Sequence, residues 1–441
     1  MKNEWEEIAR AGAKGTAAAM HILRTVFRSY PGSLAVRLWT GETASLGAGA
    51  PEFTLVFHHP STVRDMVLSR NPLKLAEAYF NGLVDVEGDL YRVLALKDHL
   101  PGVRLPVRER LGLAARALAL DRRRYPGVHT ADGWKRRRPL HGRIVRRHSK
   151  RENQQAISFH YDVSNDFYRL WLDERMVYSC AYFEDSGDGL EQAQCNKLDH
   201  ICRKLRLRPG ERLLDIGCGW GALILWAAKR FGVHAHGITL SREQHAYASA
   251  RILEEGLQDR VTIEVRDYRD IEGRDSYDKI ASVGMFEHVG LKNLPVYFAT
   301  AHRLLRPGGL FLNHGITHDE EGWSKTFSTD FINRYVFPDG ELDTVSNVQR
   351  VMERASFEIL DVEALRRHYA MTLRHWVSRL ERNRPEALRR VSEATYRVWR
   401  VYMAACALEF EQGDIGVYQI LAAKRRDGFA DVPLTRGDLY R

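Results

Sequence analysis

"RLLDIGCGWGALILWAAKRFG", Arg212 to Gly232, is the stretch whose reading decides the fold. A short apolar strand, Leu213 to Ile216, runs into Gly217-Cys218-Gly219-Trp220-Gly221. A helix follows, with apolar positions at Leu223, Leu225, Trp226 and Ala227. Glycines let such a turn adopt special dihedrals and let a ligand approach the backbone. The helix N-terminus then presents unpaired N–H groups. A tight turn without a ligand is the plain alternative. The spacing is G-x-G-x-G, not the G-x-G-x-x-G of dinucleotide sites. An acid, Asp215, precedes the first glycine. It disfavours a pyrophosphate and suits a cation.

S-adenosylmethionine carries an ammonium and a sulfonium and no phosphate. D-x-G-x-G-x-G after a first strand therefore reads as a class I methyltransferase. The next strand, Val233 to Ser241, offers Thr239, Ser241 and Gln244 to ribose hydroxyls and carries no acid there. The third, Val261 to Tyr268, ends in Asp267 and Tyr268, where an acid can accept from an adenine amine. The fourth, from Tyr277, closes on "ASVGMFEHVG", Ala281 to Gly290, and a fifth runs from Gly308 to Thr317. In open α/β sheets the ligand lies outside the carboxyl ends of the strands. Asp215, Asp267, Glu287 and His314 all fall at such ends.

Working outward, the 441 residues suit two or three domains. No run approaches the ~20 apolar residues of a membrane span, and the N-terminus lacks the order of a secretory signal. Five cysteines show no paired framework and no metal spacing, which reads as a reduced, cytoplasmic protein without zinc. Charge is uneven. Val103 to Arg151 holds 16 Lys/Arg against 3 acids, a net of +13 in a chain whose total is +9. Nucleic acid, an anionic membrane surface, or no partner at all each fit such a segment. Residues 1–103 read as a smaller α+β domain, with a strand from Phe53 to His59 and a helix capped by Ser61 or Thr62. Residues 104–152 read as a basic linker with one helical patch, Arg108 to Leu120. Residues 153–441 read as an α/β domain with a Rossmann-like, seven-stranded sheet whose last strand, Gly416 to Arg425, is antiparallel.

"FHYDVSNDFYRLWLD" (159–173), "VYSCAYF" (177–183), "LLDIGCGWGAL", "GITLSREQ", "RDYRD", "VGMFEHVG", "LNHGIT", "RHYAMTLRHW" (367–376) and "VYMAACALEF" (401–410) occur in order. Together, over about residues 152–428, they resemble the cyclopropane fatty acid synthase family. The resemblance implies methyl transfer from S-adenosylmethionine to a cis double bond of an acyl chain. A carbocation results, a proton leaves the new methyl, and the ring closes. An alkene is a weak nucleophile and a carbocation is quenched by water, so the site must be aligned and dry. Proton removal needs a base there; the family implies a bound bicarbonate. Its cradle would be Glu287, His314 and the Tyr369 hydroxyl, with the backbone N–H groups of Cys180 and Ile316. Cofactor contacts would be Tyr178 and Ser179, the loop from Leu213 to Gly221 (Asp215, Gly217, Cys218, Gly219 and Gly221), Thr239, Ser241, Gln244, Asp267 and Tyr268, with His160 and Tyr161 lining the same pocket.

Cys406 matches a cysteine of the family that is often given as active, yet among Tyr402, Met403, Ala404 and Leu408 it also reads as a small core residue. Tyr369 alone would pass for a packing tyrosine, and His314 for a core histidine. His288 is expected to point away from Glu287, capping the next loop or lining the acyl channel. Trp220 and Trp226 read as packing. The aromatic, helical stretch of about 324–411 reads as an acyl-binding lid. No nucleic-acid motif accompanies the basic segment. The N-terminal extension favours phospholipid over carrier-bound substrate, with docking on the inner face of a bacterial membrane. The resemblance also allows a homodimer through the N-terminal domain. A methylene- or methyl-branching fatty acid methyltransferase, a small-molecule methyltransferase and a lipid-binding protein without activity are the competing readings.

Overall fold

The computed structural model describes residues 15–69, 73–99, 105–120, 164–320 and 341–439. The chain divides into two compact units, residues 1–143 with 391–405, and residues 144–390 with 406–441.

The first unit holds a four-stranded sheet in the order β2-β1-β3-β4. Its strands are β1 (Leu34–Arg37), β2 (Thr43–Leu46), β3 (Phe53–Phe57) and β4 (Val84–Gly88). β1 runs antiparallel to β2 and parallel to β3. Leu34, Val36, Phe53, Leu55 and Phe57 alternate inward to one core with Ile22 and Leu23. The helix after β3 begins at Pro60, two to three residues earlier than a cap at Ser61 or Thr62 would place it. His59 Nδ1 accepts the Ser61 N–H at 3.1 Å, so His59, not Ser61 or Thr62, holds the first turn. Pro60 suits the first helical position because its missing N–H is not needed there.

The basic helix Val107–Leu118 does not stand apart as a linker. Leu113, Ala117 and the following Leu120 pack into the first unit's core. Its other face leaves Val107, Leu111 and Leu118 68%, 67% and 54% exposed. These three positions recur at helical spacing and share one stripe. The division at 143 and the inclusion of 391–405 thus depart from the linear boundaries at 103 and 152. The tracts "DRRRYPG", "WKRRRPLHGR" and "IVRRHSKR" lie outside the described residues.

The second unit is built on seven strands, β5 (Arg212–Ile216), β6 (His234–Thr239), β7 (Val261–Val265), β8 (Tyr277–Val283), β9 (Leu305–His318), β10 (Glu358–Ala364) and β11 (Ile415–Ala423). Their order is β10-β11-β9-β8-β5-β6-β7. β11 is antiparallel to both neighbours, while the pairs from β9 to β7 are parallel. Adjacent residues face opposite sides: Leu213 enters one core, Leu214 the other. β10 falls inside the stretch expected to be a helical lid, so that stretch contributes an edge strand to the sheet as well as helices. Residues 321–340, with "FINRYVF", lie outside the described residues.

Candidate active site

β5 has β6 on one side and β8 on the other, so the chain reverses its build direction there. Such a point opens a crevice at the carboxyl ends of the strands. The glycine loop fills it. Gly221 has φ +87°, and a Cβ on it would meet Ala248 Cβ at 2.9 Å; it lets two helices close. Gly219 has φ +53° with nothing within 4 Å of a Cβ, so its bare side faces open space.

A cavity lies over this loop. Of the residues assigned to the cofactor, Tyr178, Ser179, Asp215, Gly217, Cys218, Gly219, Thr239, Gln244, Asp267 and Tyr268 line it. Gly221 and Ser241 do not; Ser241 caps the helix Arg242–Glu254 by accepting the Gln244 N–H at 3.3 Å. His160 and Tyr161 lie outside the described residues.

The wall groups have defined polarities. Burial pushes the Asp215 carboxyl up to about 7 while the Lys197 ammonium pulls it down, and its Oδ1 is buried with no hydrogen-bond partner. Thr239 Oγ1 accepts the Ser241 N–H at 3.1 Å and donates to Gln244 Oε1 at 2.7 Å. Gln244 therefore turns its NH2 end to other partners. Asp267 lines the cavity, but Arg269 Nε and Nη2 hold its two carboxylate oxygens at 2.8 and 2.6 Å. An adenine amine would have to share that carboxylate. The Tyr178 ring packs 5.3 Å from Trp171 and 5.2 Å from Trp376. Trp220 lines the cavity as well as packing 5.0 Å from Tyr168.

Glu287 and His314 lie at the carboxyl ends of the paired strands β8 and β9, beside this cavity. Gly284 and Met285 line it, and the Gly284 N–H donates to the His314 carbonyl at 2.8 Å. Glu287 sits on a single 3-10 turn, Phe286–His288, just past β8. Its Oε1 accepts the Ile316 N–H at 2.7 Å. The Ile316 amide expected for the anion is therefore taken by Glu287 itself. Gly315 makes the approach possible: a Cβ there would lie 2.0 Å from the Phe286 ring and 3.0 Å from Glu287 Oε1. Burial raises the Glu287 carboxyl to about 7, against the Ile316 hydrogen bond. Burial lowers His314 to about 3, so its imidazole is neutral. Gln419, its partner across β11, places Nε2 at 3.2 Å from His314 Nδ1. An NH2 donating there leaves the imidazole proton on Nε2. Glu287 Oε2 and His314 Nε2 are both buried with no hydrogen-bond partner. The two atoms have the polarities that a small oxyanion able both to accept and to donate would answer.

Tyr369 lies in the first turn of the helix Arg366–Arg382, half-buried, its ring 4.7 Å from Phe410 and 6.0 Å from Trp376. Cys180 is buried, with Sγ 3.3 Å from the Ala181 carbonyl, and its N–H has no partner among the described residues. The next amide, Ala181, donates to Thr372 Oγ1 at 3.0 Å, which ties the Cys180 segment to Tyr369's helix. None of Glu287, His314, Ile316, Cys180 and Tyr369 lines the cofactor cavity itself. Cys406 is 8% exposed on the helix Glu393–Gln412 and does not line it either. His288 lines it, whereas its neighbour Glu287 does not, and burial lowers His288 to about 4. Sequence reasoning missed Lys197, Gln419 and Arg266. Lys197 and Arg266 line the cavity. The signal for Lys197 was a lysine inside the buried stripe Leu190, Gln194, Lys197, Ile201, Lys204.

The strand order, the glycine loop and the cavity define a class I S-adenosylmethionine-dependent methyltransferase. The family model described as mycolic acid cyclopropane synthetase matches residues 148–420, and the chain belongs to that family. A domain of unknown function matches residues 22–98. A probable fatty acid methyltransferase of Pseudomonas putida is 41% identical over 92% of this chain and 96% of its own length. The cyclopropane-fatty-acyl-phospholipid synthase of Escherichia coli K12 is 43% identical over 60% of this chain and 66% of its own length. The mycolic acid cyclopropane synthase CmaA1, solved with SAH and CTAB, is 34% identical with a TM-score of 0.58, covering 62% of this chain and 98% of that one.

Proposed function

We propose that this protein transfers a methylene carbon from S-adenosylmethionine to the cis double bond of an unsaturated phospholipid acyl chain and so forms a cyclopropane ring. The observation that carries this reading is the buried pair of unanswered atoms, Glu287 Oε2 and His314 Nε2, next to the cofactor cavity. Bicarbonate, when bound, would supply a base inside a dry site. Glu287 would accept from its hydroxyl, and the His314 Nε2–H would donate to an oxygen. Tyr369 and the Cys180 amide would complete the cradle, whereas Ile316 acts through Glu287. The aromatic wall of Tyr168, Trp171, Tyr178 and Trp376 excludes water beside the cavity. Cys406 has no part in this scheme.

Docking on an anionic bilayer is supported by two features in one region. The net +13 of Val103 to Arg151 supplies attraction, each residue near the surface contributing roughly 1 kcal/mol. Val107, Leu111 and Leu118 supply an exposed apolar stripe on the helix that opens that segment. No helix of the described residues is long and apolar enough to cross a membrane. Incubation with labelled S-adenosylmethionine and unsaturated phosphatidylglycerol vesicles, followed by proton NMR of the lipid, tests the reading. Upfield cyclopropyl protons are expected; unchanged lipid would overturn it. The likeness to the Pseudomonas putida methyltransferase along nearly the whole chain favours a second reading, a methylene or methyl branch, and vinylidene signals would select it.

A further inference from the structure

A second cavity, of about 350 Å³, adjoins the cofactor cavity and shares with it only Trp220 and Ala222. The methyl-transfer chemistry gives it no task. One face of the helix Ala222–Phe231 lines it with Trp226, Lys229 and Arg230, and the helix Arg242–Glu254 adds Tyr247 and Arg251, one turn apart. Its lining carries four cations, Arg175, Lys229, Arg230 and Arg251, against two acids, Glu174 and Glu255. Glu255 is already engaged: Arg251 Nη2 and Lys229 Nζ hold its two carboxylate oxygens at 2.6 and 3.2 Å. Exposed Glu174 is then the one acid left on the lining, and neither Arg175 nor Arg230 forms an ion pair with it or with any other described residue. Their guanidinium carbons instead lie 5.5 and 4.9 Å from the centre of the Trp226 ring. A guanidinium attracted to a ring face keeps its N–H groups for other partners. Trp226 Nε1 is buried and has no hydrogen-bond partner. All three unused groups thus belong to one indole and its two arginines, and all three only donate. Such a set calls for an anion with several acceptor oxygens, which a phosphate has in greater number than a carboxylate. The volume falls at the lower end of ordinary small-ligand pockets, roughly 300–1,000 Å³.

We propose that this second cavity is a phosphate-ester site, in which Arg175 and Arg230 bind phosphate oxygens and the Trp226 Nε1–H donates to the same group. The ester is carried either by a lipid headgroup or by a soluble phosphate. The inference does not depend on the cyclopropane reading, because none of its three binding groups takes part in that chemistry. Trp220, common to both cavities, sets the site beside the cofactor without merging the two.

The test is calorimetric titration of the full chain with three probes: sn-glycerol 3-phosphate, inorganic phosphate, and monomeric dihexanoylphosphatidylglycerol. At least one should bind saturably, and Arg175→Gln or Arg230→Gln should each weaken it about 10-fold. Trp226→Phe, which keeps a ring and removes the donor, should weaken it roughly threefold to fivefold. Arg425→Gln, the same loss of charge at an exposed arginine outside the cavity, should leave it unchanged. S-adenosylhomocysteine affinity should hold in every variant. If an arginine variant loses that affinity too, it has disturbed the fold, and Trp226→Phe decides in its place. A headgroup source predicts that the short-chain lipid displaces glycerol 3-phosphate or binds where the soluble probes do not. A soluble source predicts that glycerol 3-phosphate or inorganic phosphate binds and the lipid does not displace it. Binding that Arg425→Gln weakens as much as Arg175→Gln would be diffuse attraction to a basic protein and would overturn the site. So would a wild-type protein that binds none of the three, or binding indifferent to Arg175, Arg230 and Trp226.

Discussion

Two lysines on the helix Leu190–Lys204 stand seven residues apart, about two turns, on one face. Both are buried, yet their surroundings differ. Lys204 Nζ lies 2.5 Å from Glu363 and 3.1 Å from Asp361, on β10. His200 Nε2 reaches Glu363 at 2.8 Å, and Arg436 reaches Asp361 at 2.7 Å. Burial opposes the Glu363 charge, but His200 and Lys204 outweigh it and hold the carboxyl at about 2. In that region each charge faces an opposite charge inside the protein, although Lys204 Nζ and Asp361 Oδ2 make no hydrogen bond of good geometry. At the Lys197 end the answers are missing: Asp215 Oδ1, Glu287 Oε2 and His314 Nε2 are buried without partners. A charge-paired network braces the sheet edge. An unsatisfied one, placed at the strand ends, costs stability and is ready for ligands.

The contrast can be broken at several points. The largest effect is expected for Glu287→Gln, which should cut product formation at least ~100-fold with S-adenosylhomocysteine affinity unchanged in calorimetry. The same substitution should stabilise the fold. A carboxyl raised from 4.5 to about 7 in the folded state costs stability as pH rises through that window, and the cost is complete above it. Urea denaturation should therefore show a gain of roughly 3 kcal/mol at pH 8 and little gain at pH 4. Lys204→Met should act the other way and lose roughly 3 kcal/mol in the same assay, because it leaves buried acids short of a partner. Lys197→Met should stay within about 1 kcal/mol of wild type, having no ion pair to break. Should the two lysine variants prove equally destabilising, the distinction between brace and ligand site collapses.

Glu363 sharpens the contrast by its sign. Its folded pKa is depressed, so its contribution is present above 4.5 and is lost as pH falls toward 2. Discounted for its partial exposure, about 2 kcal/mol of acid sensitivity should vanish in Glu363→Gln. The smallest effect is expected for Gln419→Leu. It removes the group that fixes the His314 proton on Nε2 and should lower kcat about tenfold with cofactor affinity intact. An unchanged kcat would mean that Gln419 does not set the tautomer.

Much of this was legible in the sequence, for identifiable reasons. The glycine loop, its preceding Asp215 and the apolar strands are local signals, and strand-end placement put Glu287 and His314 in one neighbourhood. What stayed hidden depends on which surfaces meet. Gln419 matters because β11 pairs with β9 in a register that sets it against His314. The Ile316 amide was assigned to the anion because nothing local reveals that Glu287 takes it. Asp267 carries its own competitor two residues on, Arg269, which a spacing rule reads as an ordinary surface charge. β10 was absorbed into an aromatic-rich helical stretch because an edge strand between two helices leaves a faint alternation.

Gly315 carries a consequence for sequence tolerance. Its hydrogen occupies the only room between β9, the Phe286 ring and the Glu287 carboxylate, and even a methyl would collide with the ring. A library randomised at 315 and selected for lipid modification should return glycine alone, although the position does not line the cofactor cavity. In a gene pool, an alanine there would mark a lineage released from this chemistry before any acid or histidine had changed.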